Sequence, residues 1–563
     1  MKSKLIQSGW LVVICALLSF LFFSCKKDSK PSPPPPVVSG PFNFVKATVN
    51  DSLIKSAVTY NFSINAVIKI YFSSPVNTSG VAANVSFTNG NSPVTVNYTY
   101  SNKDSILIIK PAGTLSGLTR YTLNILTSLR SAADSSLTTQ ETFTFITQID
   151  STDKFPQISD SALLTLVQQQ TFKYFWDFGD PVSGMARERN SDQTIATTGG
   201  TGFGIMATIV AINRNFITHA DGLDRIIKIV NFYRTKATPY HGAFSHWING
   251  STGVTIPFGT QDNGGDIVET SYLVEGLLCA RQYFNSTTDS NEINLRNNIN
   301  ILWNGVNWNW YRQNNQNVLY WNWSPDYNWA INAQVGGWSE ALITYVLAAS
   351  SPDSSVPKIV YDNGWARNGG IKNGNSYYGY TLPLGPSNGG PLFFEHYSFM
   401  GISPKGLSDA YADYDTQTIN HTKINYQYCV ADPHNYYGYS DQCWGLTASD
   451  VPTGYNANEP NNDVGVISPT AAISSFPYTP AESMKALKFF YYKLGNKLWG
   501  QYGFYDAFSL KDLWFANSTL AIDQGPQVVM IENYRSGLLW NLFMSCPEIK
   551  TGMKQLGFQS PDL

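Results

Sequence analysis

A chain of 563 residues is too long for one typical domain, so we expect two or three. The formal net charge is −3, and removing residues 1–24, which carry Lys2 and Lys4 but no acid, makes it −5; this excludes a basic nucleic-acid-binding surface. Charged residues make up only 14% of the chain and aromatic residues 14%. This composition is typical of secreted proteins that handle neutral polar ligands such as sugars, with packing of a large core as the alternative use of the rings.

The first 24 residues predict a secretion signal. Lys2 and Lys4 precede an apolar run over 10–23, which is too short for a comfortable membrane span. The run ends before Cys25 in a pattern that resembles a bacterial lipoprotein cleavage site, so we expect Cys25 to carry a lipid. Residues 25–41 include four consecutive prolines and predict a semi-rigid tether. The chain is therefore expected to be an outer-membrane lipoprotein, either periplasmic or surface-exposed, that contacts the membrane only through this anchor.

Residues 42–148 predict an Ig-like β-sandwich. Short β-rich runs, several with period two, are separated by Asn, Gly, Ser and Pro turns. The segments 72–77 and 115–125 resemble bacterial Ig-like domains. Acids, histidines and cysteines do not cluster here, so we expect a spacer or docking role. The predicted strands cover 67–72, 94–100, 106–110, 121–126 and 141–147.

After a linker at 148–156, helical periodicity dominates and defines a second domain over 155–563. Long loops rich in Gly, Asn, Trp and Tyr connect the helices, which favours helix pairs closed into an (α/α) toroid over a simple bundle with short connections. Function is then expected in the loops at one end. Helices are predicted from residue 159 or 160 onward and over 202–215, 222–235, 267–284, 293–311, 338–349, 480–494 and 526–545.

Three carboxylates precede one of these helices. Asp262, Asp266 and Glu269 are spaced by four and three residues, so a helix would place them on one face, ahead of an apolar run at 273–278. Acids at the entrance of a buried helix are typical of an active site at the end of a helical scaffold. The alternative is structural, because Asp266 and Glu269 also have the spacing of a capping box, and Asp262 can hold a loop.

The remaining chemistry-bearing residues give weaker patterns. Cys279 lies in an apolar helical pattern and predicts a buried thiol, while Cys429 and Cys443 could pair or remain free. The sequence contains neither G-x-S-x-G nor H-E-x-x-H, which argues against a serine hydrolase of the elbow type and a zinc protease. Six tryptophans crowd residues 303–329; Trp303 and Trp310 predict core positions, and others could stack on sugar rings.

Six segments in order resemble glycoside hydrolase family 144, whose characterised members include bacterial endo-β-1,2-glucanases. The resemblance covers about residues 155–560. It implies an (α/α)6 barrel that hydrolyses β-1,2-glucan with inversion of configuration and without a metal or organic cofactor. The segments that carry it are 174–190, 197–207, 262–278, 336–342, 391–399 and 523–540.

The resemblance also suggests site residues. Glu340 best matches the general acid, and a position beside Trp338 would raise its pKa. Asp523 is the first choice for the base, followed by Asp262 and Asp266. Asp262, Asp266 and Glu269 match acids in the family's substrate cleft, with their roles unresolved. An exposed or capping position at a helix start is the alternative for Glu340, and helix-start electrostatics is the alternative for Asp523.

Supporting residues are expected around these acids. Glu395 and His396 lie in an aromatic segment and are candidates for binding sugar hydroxyls, and Trp338 is a further candidate for binding substrate. Arg187 and Arg189 could bind hydroxyls or orient acids. Structural roles are the alternative for each. The leading hypothesis is a monomeric endo-β-1,2-glucanase; the alternatives are an exo-acting, sophorose-releasing enzyme and a non-catalytic glycan-binding lipoprotein.

Overall fold

The computed structural model describes residues 40–563, so the predicted signal, Cys25 and most of the tether lie outside the described residues. The first part of the described chain is an Ig-like β-sandwich, as predicted. Its strands are β1 Phe44–Val49, β2 Ser52–Leu53, β3 Val58–Phe62, β4 Ile68–Phe72, β5 Val85–Asn89, β6 Ser92–Pro93, β7 Val96–Ser101, β8 Ile106–Pro111, β9 Arg120–Ile125 and β10 Glu141–Thr147.

Two five-stranded sheets form the sandwich. One has the order β2-β1-β4-β8-β7 and the other β3-β10-β9-β5-β6, with only β3 and β10 parallel among these pairs. In β4, Ile68, Ile70 and Phe72 point inward while the residues between them are half-buried, which is the alternation that made this strand predictable. Strands β1, β3 and β5 were not predicted. In β3 only Phe62 is fully buried, so its sequence carries no clear period.

The second part of the described chain is helical. Its α-helices of seven or more residues are α1 Asp160–Trp176, α2 Thr198–Asn213, α3 His219–Thr235, α4 Ile267–Tyr283, α5 Ser290–Gly305, α6 Leu342–Ser350, α7 Tyr414–Ala431, α8 Pro480–Lys488, α9 Ala521–Ser536, α10 Leu538–Met544 and α11 Pro547–Leu556. Short two- to four-residue strands in the loops include β11 Ile195–Thr197, β12 Trp247–Asn249, β13 Thr255–Ile256, β14 Gly265–Asp266, β15 Leu319–Tyr320, β16 Asn322–Trp323, β17 Gln334–Val335, β18 Ser376–Tyr377, β19 Tyr380–Thr381, β20 Ala448–Val451 and β21 Gly454–Ala457. The loop strands end with β22 Trp499–Gly500, β23 Gly503–Phe504, β24 Phe508–Ser509 and β25 Trp514–Phe515.

Several predicted helix bounds are wrong. The helix predicted from 338 begins at Leu342, and the one predicted to reach 311 ends at Gly305. The prediction over 526–545 corresponds to two helices, because Gly537 has φ 69° and ends α9 in the left-handed region. Helix α7 was missed because its buried face carries polar side chains, such as Gln417 and His421, instead of an apolar stripe.

Helices α2 and α4 are buried on nearly all sides and form the centre of the helical domain. They approach each other closely through glycine: a Cβ on Gly202 would lie 2.1 Å from the Tyr272 carbonyl oxygen, and one on Gly276 would lie 2.3 Å from that of Gly202. Helix α9 packs against α2, where a Cβ on Gly200 would meet Ala521. The first turns of α2, α4 and α9 therefore meet at one end of the domain.

The segment that joins the two domains is fixed to the helical domain. Phe155 stacks on Tyr491 with ring centroids 4.6 Å apart, and the Lys154 amide donates to the Tyr492 carbonyl at 2.7 Å. Tyr60 of the sandwich stacks on Tyr437 of the helical domain at 5.2 Å. The predicted linker thus runs along a surface of the second domain.

The cysteines of residues 40–563 are buried and free. Cys279 is a fully buried thiol, as predicted, and Cys429 and Cys443 are both buried and free, so the open possibility of a bridge between them is not realised. Across residues 40–563, each helix is too short or too polar to cross a membrane.

Candidate active site

A cavity of about 470 Å³ opens where the first turns of α2, α4 and α9 meet. Its wall combines aromatic rings with charged groups, which is a surface suited to sugar rings and their hydroxyls. The aromatic lining residues are Trp247, Phe258, Tyr272, Trp321, Phe393, Tyr397 and Tyr455, and the charged ones are Glu188, Arg189, His246, Glu269 and Glu340.

Glu340 lies in this wall, directly before α6, and is half-buried. The Ser398 hydroxyl donates to its carbonyl oxygen and accepts from the Ile343 amide at 3.0 Å, so Ser398 holds the backbone on both sides of the turn. Burial raises the pKa of Glu340 to about 7, and the negative charges of Glu269 and Asp266 add to the effect. The side chain can therefore carry a proton near neutral pH.

Asp266 caps helix α4, which is the structural role weighed for it. One of its oxygens accepts from the Val268 and Glu269 amides at 2.9 Å each. The other oxygen lies 3.2 Å from His246 Nδ1 and accepts from Trp321 Nε1 at 3.2 Å. The cap consequently also fixes two side chains of the cavity wall.

Glu269 and His246 form the charged centre of this side of the cavity. Glu269 Oε2 accepts from the Gly199 amide at 2.7 Å, and Glu269 Oε1 lies 3.8 Å from His246 Nε2. Burial raises the pKa of Glu269. Burial alone would lower the pKa of His246, but the carboxylates of Glu269 and Asp266 outweigh it and raise that pKa to about 9. His246 is therefore a cation at neutral pH.

Asp262 is half-buried beside this group and does not line the cavity. Its Oδ1 accepts from Asn322 Nδ2 at 3.0 Å. Burial, with the nearby charge of Asp266, raises its pKa to about 6. The three acids predicted together do lie together, but only Glu269 reaches the wall itself.

A second acid group lies beside the cavity. Asp523 is in the first turn of α9, and its neighbours Leu520 and Ile522 belong to the cavity wall. The Asp523 and Asp506 side chains are buried and hydrogen-bond to each other, and Asp506 also accepts from the Asp450 amide at 2.6 Å.

These two carboxyls lie close enough to shift each other's pKa. Burial raises the pKa of Asp506 to about 7, and burial together with the Asp506 charge raises the pKa of Asp523 well above its ordinary value. Asp506 was not predicted, because nothing in its local sequence distinguishes it from a loop aspartate. Arg189 lies next to this group, paired with Glu188 at 2.8 Å and Asp450 at 3.3 Å.

Four of the predicted sugar-binding residues do not reach the cavity. Glu395 and His396 are almost completely buried and bond within the protein, so their predicted contact with substrate is corrected. The Trp338 ring is buried behind Glu340 and donates to Glu395 at 3.1 Å. Arg187 lies over the Phe178 ring and donates to its carbonyl oxygen at 3.0 Å.

The tryptophan-rich stretch divides between core and cavity. Trp303 is fully buried as predicted, whereas Trp310 is 38% exposed and stacks on His241, so its predicted core position is wrong. Trp321 lines the cavity. Within residues 40–563, the His, Cys, Asp and Glu side chains form no group that could hold a metal ion.

Comparisons with known proteins identify relatives of both domains. Residues 332–547 match the family model described as "Putative glucoamylase", and residues 46–147 match a bacterial Ig-like domain. An endo-β-1,2-glucanase from Chitinophaga pinensis, solved with sophorotriose and glucose, is 51% identical, with a TM-score of 0.71 over 72% of this chain and 100% of that one. The chain belongs to glycoside hydrolase family 144.

Two further relatives come from Parabacteroides distasonis. A curated exo-β-1,2-glucooligosaccharide sophorohydrolase acting at the non-reducing end is 46% identical over 421 residues, which is 71% of this chain; the chain spans 58% of that relative's length. A β-1,2-glucanase structure is 37% identical with a TM-score of 0.69, over 94% of this chain and 74% of that one. The second match therefore reaches beyond the helical domain.

An open groove of about 900 Å³ adjoins the cavity in this family 144 chain. Arg189 and Tyr455 line both spaces, and Tyr455, on the hairpin of β20 and β21, is 49% exposed. Trp514 lies further along the groove. Neither this surface nor His246 was predicted, because no sequence spacing relates their residues to the acids, which lie far away in the chain.

Proposed function

We propose that this chain hydrolyses β-1,2-glucan with inversion of configuration. The observation that carries the proposal is Glu340, a half-buried carboxyl with a pKa raised to about 7 in the wall of an aromatic cavity. An inverting glycosidase needs such a protonated acid on one side of the bond and a carboxylate that activates water on the other. The acid pair Asp523 and Asp506, beside the cavity wall formed by Leu520 and Ile522, is our candidate for the second component.

The proposed reaction moves two protons. Glu340 gives its proton to the glycosidic oxygen as the bond to the anomeric carbon breaks. Water attacks that carbon from the other face and loses a proton to the Asp523–Asp506 pair, which accepts it on its anionic carboxyl. Each turnover leaves Glu340 deprotonated and the Asp523 side protonated, and exchange with solvent restores both.

We further propose endo action. The open groove that continues from the cavity past Tyr455 allows a polymer to extend beyond the site, which internal cleavage requires. The second candidate is release of sophorose from the non-reducing end, which the curated relative at 46% identity favours. Product sizes at early times on linear β-1,2-glucan test both: a broad ladder supports endo action, and sophorose alone supports exo action.

If wild type leaves linear β-1,2-glucan intact, the proposed activity is wrong. The matched variant is Glu340→Gln, which keeps the size of the side chain and removes the proton donor. It should abolish product formation while the protein stays folded. Wild-type activity retained in this variant would refute the role of Glu340.

We propose that the helices form an (α/α)6 barrel, which is supported by the sequential packing of α2 on α3, α4 and α9 and of α4 on α6. We also propose a monomeric outer-membrane lipoprotein anchored through Cys25, on the basis of the leader pattern. Growth of the native bacterium with an alkyne palmitate tests the anchor. The label should be attached to the wild type and not to a Cys25→Ser variant. Equal labelling of both would refute it.

A further inference from the structure

A buried cluster behind the cavity wall centres on Glu395. Its Oε1 accepts from Trp338 Nε1 at 3.1 Å and from Gln417 Nε2 at 3.0 Å, and it lies 2.7 Å from His421 Nδ1. The Leu384 amide donates to Gln417 Oε1 at 2.8 Å, which fixes the orientation of the amide so that its NH₂ group faces Glu395. Neither Glu395 nor His421 has exposed side-chain surface.

Both ring nitrogens of His421 face acceptors. Nδ1 faces the Glu395 oxygen that two other N–H groups already approach, and Nε2 lies 2.9 Å from the Gly390 carbonyl oxygen. A carbonyl oxygen cannot donate, so Nε2 must carry a hydrogen. Because that Glu395 oxygen accepts from Trp338 and Gln417, it also faces Nδ1 as an acceptor, which places the second hydrogen on Nδ1.

The surrounding backbone is shaped for this ring. Gly389 has φ +102°, and a Cβ there would lie 2.1 Å from His421 Cδ2. Gly385 has φ +97°, and a Cβ there would lie 2.9 Å from Trp338 Cδ1. Other residues would be strained at both positions and would collide with the rings, so this loop accommodates the imidazole and the indole together.

The cluster reaches Glu340 by two routes. Trp338, held by Glu395, precedes Glu340 by two residues. Ser398, three residues after Glu395, holds the Glu340 carbonyl and the first turn of α6. We propose that the buried ion pair of Glu395 and His421 positions the general acid Glu340. Both are positioning residues, since neither reaches the cavity.

This inference rests on the proposed function and extends it to residues that do not touch substrate. A misplaced acid slows cleavage where the leaving group needs a proton, and matters little where the leaving group departs as a stable anion. The test therefore compares linear β-1,2-glucan with 4-nitrophenyl β-sophoroside. Glu395→Gln should lower kcat on glucan by roughly 10²-fold, which is typical of an ångström-scale displacement, and kcat on the aryl glycoside by less than about threefold.

The matched control is Glu532→Gln. Glu532 is a fully buried carboxylate paired with Arg214 at 2.7 Å, near the other end of α9 from Asp523. Loss of this pair should destabilise the protein and change both activities by the same factor. Trp338→Phe, which keeps a ring and removes the N–H donor, provides a second variant if Glu395→Gln does not fold, and it should show the same preference for the aryl glycoside.

The hydrogens on the His421 ring can be observed directly. Nitrogen NMR of the full-length chain labelled with ¹⁵N-histidine, assigned by loss of one signal pair in His421→Gln, should show a hydrogen on both ring nitrogens. A neutral ring, or equal losses on both substrates in Glu395→Gln and Trp338→Phe, would overturn the inference while leaving the proposed function intact. A wild type inactive on both substrates would overturn the function and the inference together.

Discussion

Replacing Glu340 with glutamine should stabilise the protein more as the pH rises. The pKa of Glu340 is raised from 4.5 to about 7, so between these values the folded state holds a proton that the unfolded state has released. Wild-type stability consequently falls as pH rises through this window and levels off above pH 7. Linkage gives a loss of up to about 2.5 kcal/mol between pH 5 and pH 8, and glutamine does not incur it.

The size of the effect is measurable by calorimetry. With an unfolding entropy of roughly 2 cal/mol/K per residue over the roughly 400 residues of the helical domain, 2.5 kcal/mol corresponds to about 3 °C. We expect the Tm advantage of Glu340→Gln to grow by up to about 3 °C from pH 5 to pH 8. Asp224→Asn, at an exposed position on α3, is the control and should show no such trend. A Tm difference independent of pH would refute the burial argument for Glu340.

Three further predictions concern the same site. The kcat/KM on β-1,2-glucan should fall as pH rises through about 7, when Glu340 loses its proton; activity undiminished at pH 9 would contradict this. Asp523→Asn should lower kcat by roughly 10²- to 10⁴-fold. Asp506→Asn should move the acid limb of the pH profile of kcat to lower pH, because it removes the charge beside Asp523. An acid limb at the same pH as in wild type would exclude coupling of the two carboxyls. If the groove binds substrate, Trp514→Ala should raise KM for long glucans roughly 3- to 10-fold and leave KM for short oligosaccharides unchanged. A KM for long glucans equal to that of wild type would exclude this role.

The fold was predictable where one face of an element is apolar. Strand β4 and helix α3 follow directly from periodicity, because the buried positions of β4 alternate and those of α3, such as Leu223, Ile226 and Ile229, recur at helical spacing. Helix α7 was not predictable in this way, since its buried residues include Gln417 and His421. Those polar groups are satisfied by partners far away in the chain, and a single sequence does not reveal such pairings.

The site residues that could be predicted are those that lie in recognisable sequence motifs. Glu340 and Glu269 line the cavity, and Asp523 lies at its edge, but Asp506 joins Asp523 only through the folded backbone. Glu395 was identified by its motif and given the wrong contact. Its burial follows from packing against α7, the helix that the sequence did not predict.

The configuration of the first product tests the central claim most directly. Proton NMR during the first minutes of hydrolysis of linear β-1,2-glucan reports the anomer formed before mutarotation. If Glu340 and Asp523 act on opposite faces of the bond, the new reducing end appears as the α-anomer. The β-anomer as the first product would require a covalent intermediate and would contradict the account.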